Sequence, residues 1–98
     1  MITDDASTLL CCAFRHAVEG KSTDEERRVL ARQIRQYVHE VKSKCLEYMA
    51  FRLLAKLDEE KRNGTRLFGD DWSELCDEMF AEYNRRLEKD EHGDKEDQ

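Results

Sequence analysis

Cys12 and His16 stand one helical turn apart and form the only local thiol–imidazole pair in the chain. Such a pair could serve as two metal ligands, or as a nucleophile with its base. Zinc needs four ligands. Cys76 and His39 lie elsewhere, but no C-x-x-C or H-x-x-x-H spacing gathers them, so no metal site is expected. A cysteine nucleophile also needs an oxyanion donor, and nothing in the sequence marks one. Gly64 and Gly69 flank a short segment, yet no phosphate-cradling glycine motif occurs. Carboxylates are so numerous that no single pair stands out as acid and base. The expectation is a non-enzymatic chain without a cofactor, in which Cys12 and Cys76 serve as small buried hydrophobes.

The charged residues carry more information. Arg28, Arg32, Arg35, His39 and Lys42 recur at spacings of three and four, which places them on one ridge of a helix. Between Arg27 and Lys44 the only acid is Glu40. Such a ridge suits phosphates or an acidic protein partner. It also suits acids within the same protein. No aromatic interleaves it to stack on bases, so nucleic acid is the alternative rather than the leading reading. The other pole is acidic. Glu74, Asp77, Glu78 and Glu82 fall on one helix, followed by a tail at 91–98 that reads as acidic and disordered. A helix with that many carboxylates can imitate nucleic acid towards a basic cleft. The plainer reading is a solvated face that aids solubility. Net charge runs −2 over residues 1–20, +4 over 21–66 and −8 over 67–98.

These residues need helices to position them. Thr3, Asp4 and Asp5 open a first helix over about 4–19, with an apolar stripe of Ala6, Leu9, Leu10, Ala13, Phe14 and Ala17 that Gly20 ends. Thr23 with Glu26 forms a capping box. A second helix runs from about 24 to 62 and stops at Asn63-Gly64. If continuous, it would be about 58 Å long. Its first half carries Leu30, Ile34, Tyr37, Val38, Val41 and Cys45. In its second half Leu46, Ala50, Leu53 and Leu57 point to nearly the opposite side. A third helix over about 71–89 presents Trp72, Leu75, Cys76, Met79, Phe80, Tyr83 and Leu87. Phe68 and Trp72 read as a staple closing the preceding loop.

The resulting fold class is all-α: one domain over 1–90, with a long central helix flanked by two shorter antiparallel ones. A break near Lys42-Ser43-Lys44 would fold the long helix back. That segment holds no glycine or proline to license a kink, so a continuous helix completed by a homodimer is expected. Tyr48, Met49 and Phe51 mark the surface a second chain or another protein would cover, because one neighbouring helix cannot bury all three. The short–long–short order resembles the histone fold in outline. The central helix is too long for it and the loops lack its motifs, so no family is assigned.

Composition sets the outer bounds. The chain has 98 residues, no proline, four glycines and 41% charged residues, with net charge −6. That excludes collagen-like and proline-rich chains, and it argues against a turn-rich β-sandwich. Leu, Val, Phe and Ile supply only 20 residues of apolar core, so their placement matters. No segment reaches the roughly 18 apolar residues of a membrane span, and no signal peptide is read at the N-terminus. Scattered cysteines in helical patterns suggest reduced thiols and a cytoplasmic setting. The function expected is stoichiometric protein binding by a small regulator or inhibitor of a larger protein, of the kind phages and plasmids encode. A structural subunit of a helical assembly is a further alternative.

Overall fold

The first two helices each begin at a threonine cap. The computed structural model describes residues 3–97; the side chains of Asp4 and of residues after 89, the acidic tail among them, lie outside the described set. Four helices occur in the order α1 (Asp4–Val18), α2 (Asp24–Tyr37), α3 (Ser43–Asn63) and α4 (Asp70–Asp97), with no strand among the described residues. The Thr3 hydroxyl accepts the Ala6 N–H at 3.1 Å and starts α1. At α2 the Thr23 hydroxyl accepts the Glu26 N–H at 3.1 Å, while the Glu26 carboxylate accepts the Thr23 N–H at 2.9 Å. This is the capping box read from the sequence. Gly20 (φ 78°) follows α1 and Gly64 (φ 72°) caps α3. Both lie in the left-handed region, where a Cβ is strained.

The expected 39-residue central helix is two helices. The ladder stops after Tyr37 and restarts at Ser43. The two apolar stripes explain the need for the break. On a straight rod the stripe of Leu30, Ile34, Val38 and Val41 faces away from that of Leu46, Ala50, Leu53 and Leu57. Turning the chain at 38–42 brings both into one core. Leu30, Ile34, Val38, Val41, Leu46, Ala50 and Leu53 are all buried there, with Leu57 packed at its edge. A single chain therefore brings both stripes into one core and buries Met49 with them, while Tyr48 and Phe51 stay outside.

α1 packs on α2 and α3, and α4 packs on the other sides of the same two helices. The backbones of α2 and α3 do not approach each other beyond the connection; they occupy one diagonal of the bundle. Phe14 from α1 sits at the centre, with Trp72 6.2 Å away and Tyr48 6.1 Å away between ring centroids. Phe68 meets Trp72 edge-on at 4.9 Å, and both are buried, so the staple forms as expected. The buried face of α1 is rotated from the expected stripe: Ser7, Phe14, Ala17 and Val18 point inward, while Leu9 is 70% exposed.

Candidate functional site

The basic ridge and the acidic face meet at the surface, within one protomer. α2 and α4 are neighbours, and Arg35 on α2 reaches two carboxylates on α4. Its Nε donates to Glu78 at 2.7 Å and its Nη2 to Glu74 at 3.3 Å. These bonds raise the Arg35 pKa further, with Glu78 the larger contributor. Arg28 and Arg32 lie exposed on the same ridge and hold no partner within the described residues. Lys42 marks the start of α3. Of the four proposed acidic-face residues, Glu74 and Glu78 are engaged by Arg35 and Asp77 is exposed.

Glu82 departs furthest from its expected role. It was expected to be a surface acid, yet its side chain is 0% exposed. The reason is its place on the wheel. Leu75, Met79, Glu82 and Arg86 share the face of α4 that enters the bundle. Its carboxylate accepts from His39 Nδ1 at 2.6 Å, from Arg85 at 3.0 and 2.7 Å, and from Arg86 Nε at 2.6 Å. Burial pushes this carboxyl's pKa up. The hydrogen bonds from Arg85, Arg86 and His39, with the Arg86 charge, outweigh that and hold it at about 2.

Arg86 then extends across the helix break. Its Nη1 donates to the Val41 carbonyl at 2.7 Å and to the Ser43 hydroxyl at 3.2 Å, and its Nη2 lies 3.5 Å from the Val38 carbonyl. A helix end leaves carbonyls without intrahelical partners. Here a guanidinium from another helix supplies their donors, so the break needs neither glycine nor proline. Glu82 fixes the guanidinium and Arg86 fixes the break, forming one clasp around a buried carboxylate.

A second buried carboxylate holds the α3–α4 connection. Glu60 accepts the Leu67 N–H at 2.9 Å and the Phe68 N–H at 3.3 Å. Arg27, also buried, donates to the Ser22 carbonyl at 2.6 Å, pairs with Asp24 and lies 5.9 Å above the Phe68 ring. These residues were not singled out in the sequence. The available signal was spacing: Arg27 lies on the apolar stripe of Leu30 and Ile34, and Glu60 on that of Leu53 and Leu57.

The expected interface residues separate. Met49 is fully buried, because it lies on the inner side of α3 with Leu46 and Leu53. Tyr48 and Phe51 remain on the outside, 37% and 48% exposed, and Leu54 joins them at 49%. Phe51 is braced edge-on by Phe80 at 5.2 Å and Tyr83 at 5.5 Å from α4, and Leu87 is half exposed farther along that helix. Lys44, Glu47 and Arg52 rim a shallow groove around Tyr48, Phe51 and Ala55. α3 is therefore apolar on two opposite faces, one spent on the core and one open.

The thiols do not assemble a reactive centre. Cys76 is buried as expected, but Cys12 is exposed, since it falls off the inward face of α1. Burial, then the adjacent Cys45 thiol, pushes Cys11 up to about 11. Burial, then Asp77, does the same for Cys76. Neither is a thiolate at neutral pH. Among the described residues, no group of three or more His, Cys, Asp or Glu side chains is arranged to hold a metal ion. No described helix is long and apolar enough to cross a membrane. No protein family, curated protein or solved structure matches the chain.

Proposed function

We propose that this chain is a non-enzymatic interaction protein that binds another protein surface stoichiometrically, through the outer face of α3 and the adjoining side of α4. One observation carries the reading: Tyr48, Phe51 and Leu54 stay open to solvent after the core is complete, and Phe51 packs edge-on against both Phe80 and Tyr83. Aromatics braced by neighbouring rings have less freedom to lose on binding and supply large contact area, which is the character of interface hot spots. The acidic-mimic route gains no such support, since Glu74 and Glu78 are paired within the protein and Glu82 is buried. A small regulator or inhibitor fits this mode of binding, since it requires only a docking face.

The test immobilises the protein and its Phe51→Glu variant and passes source extract, with and without nuclease treatment, over both. The expected result is a protein retained at near-equal stoichiometry by the wild type. It persists in about 0.5 M salt, where exposed charge pairs are screened, and is lost with Phe51→Glu. Retention that vanishes with nuclease or salt and ignores Phe51→Glu would transfer the function to Arg28 and Arg32, as a nucleic-acid-binding ridge.

A further inference from the structure

We propose that the occupant of the outer α3 face is a second copy of this chain, with the two α3 helices packed antiparallel about Phe51. This rests on the preceding reading of that face as a docking surface and names its partner. The argument is the symmetry of the residues on the stripe. Tyr48 lies three positions before Phe51 and Leu54 three after; Lys44 lies seven before and Asp58 seven after. At about 100° per residue, Lys44 and Asp58 fall within about 20° of Phe51, on either side of it. Both are exposed, and neither holds a partner within the described protomer.

A two-fold axis through Phe51 brings each position onto its mirror position in the other chain, as an isologous contact requires. Phe51 then packs on Phe51, Tyr48 on Leu54 twice, and Lys44 meets Asp58 twice. The alternative parallel pairing would set Lys44 on Lys44 and Asp58 on Asp58. The charge order therefore selects the antiparallel dimer and excludes the parallel one. Lys44 also stands in the first turn of α3, where the helix dipole disfavours a cation and no acid is present. That placement costs the isolated protomer a little, and the Asp58 of the other copy offsets it in the dimer. Phe80 and Tyr83 buttress the central contact from α4.

The decisive experiment is sedimentation equilibrium of the purified full chain with a charge-swap set. The wild type is expected to be a dimer, and Phe51→Glu a monomer with unchanged helical circular dichroism. Lys44→Glu alone sets two acids against each other at both ends of the contact, and Asp58→Lys alone does the same with two bases. Each is expected to weaken dimerisation roughly tenfold, the scale of two exposed pairs changed from attraction to repulsion. An equimolar mixture of the two variants restores opposite charges at both ends and is expected to recover wild-type affinity as a heterodimer. Lys44→Glu suits the helix dipole better than the native residue, so weakened association in that variant cannot come from a loosened protomer.

A wild-type chain that is monomeric at all concentrations overturns the second-copy proposal. If Phe51→Glu still abolishes capture of a different protein from extract, the docking-surface reading survives that failure; if it does not, both fall. A wild-type dimer whose single variants associate normally, or whose mixture gains nothing, overturns the antiparallel register.

Discussion

Glu82 shows how one side chain can be assigned the wrong role when only its type is considered. Aspartates and glutamates dominate the end of the chain, and Glu82 reads as one more solvated acid. Its position beside Leu75 and Met79 on the helical wheel was the contrary signal, and the i, i+4 spacing to Arg86 was a second. In the folded protein its carboxyl is held at about 2, below its ordinary value of 4.5. The unfolded chain therefore takes up the proton first as pH falls. Above about 4.5 both states are ionised and the full contribution of the clasp is present. It is lost progressively as pH drops from about 4.5 towards about 2. Glu82→Gln is expected to lower stability at pH 7 by about 2–3 kcal/mol, the scale of charge-assisted hydrogen bonds that lose their charge and one of their two acceptor oxygens to an opposing N–H donor. Urea melts of both proteins from pH 7 to pH 2.5 check this: the gap between them should narrow as pH falls. Parallel curves would mean that the carboxylate charge does not hold the clasp.

At the scale of the element, the ends of the helices were legible because their causes are local. Thr23 with Glu26 begins α2, and Asn63-Gly64 ends α3, within a residue of expectation. The break between α2 and α3 was not legible as such, because its cause lies on α4, more than forty positions along the chain from the carbonyls it satisfies. The apolar stripes did register the conflict. They point to opposite sides of one rod, a conflict that a dimer or a break can resolve; the break resolves it within one chain. Arg86→Met keeps an unbranched apolar stem and removes the donors. Amide hydrogen exchange at Glu40 and Val41, whose N–H groups bond the Tyr37 carbonyl at 2.9 and 3.0 Å, is expected to accelerate. Amides in the middle of α1 should change far less. Arg86→Lys should recover only part of the protection, since an ammonium cannot span Glu82 and the break with one planar fork. Equal acceleration everywhere would show that Arg86 stabilises the bundle generally and not the break.

For the whole molecule, charge layout and topology have to be read together. The sequence shows a basic middle and an acidic end. Which surfaces those become depends on the helices they adjoin, and the break decides that by setting α2 beside α4. The core was largely legible, since its residues follow from periodicity. The ridge and the acidic face were legible as patterns, but not as partners of each other. Arg35 is the residue where they join, and each of its bonds is partly exposed and so modest. Reversing it is more informative than deleting it. Arg35→Glu would place a third carboxylate beside Glu74 and Glu78, with an expected cost of about 1 kcal/mol at low salt. For a domain of this size that corresponds to a fall of roughly 4–8 °C in Tm. Because these side chains are solvent-exposed, about 0.5 M sodium chloride should screen much of the repulsion and close most of the gap to wild type. A gap that persists unchanged at high salt would locate the damage in packing. No gap at either salt would show that α2 and α4 are held by Ile34, Leu75 and Met79 alone. Arg35 would then be as free as Arg28 and Arg32 to meet an external phosphate, and the nucleic-acid reading of the ridge would regain what the pairing takes from it.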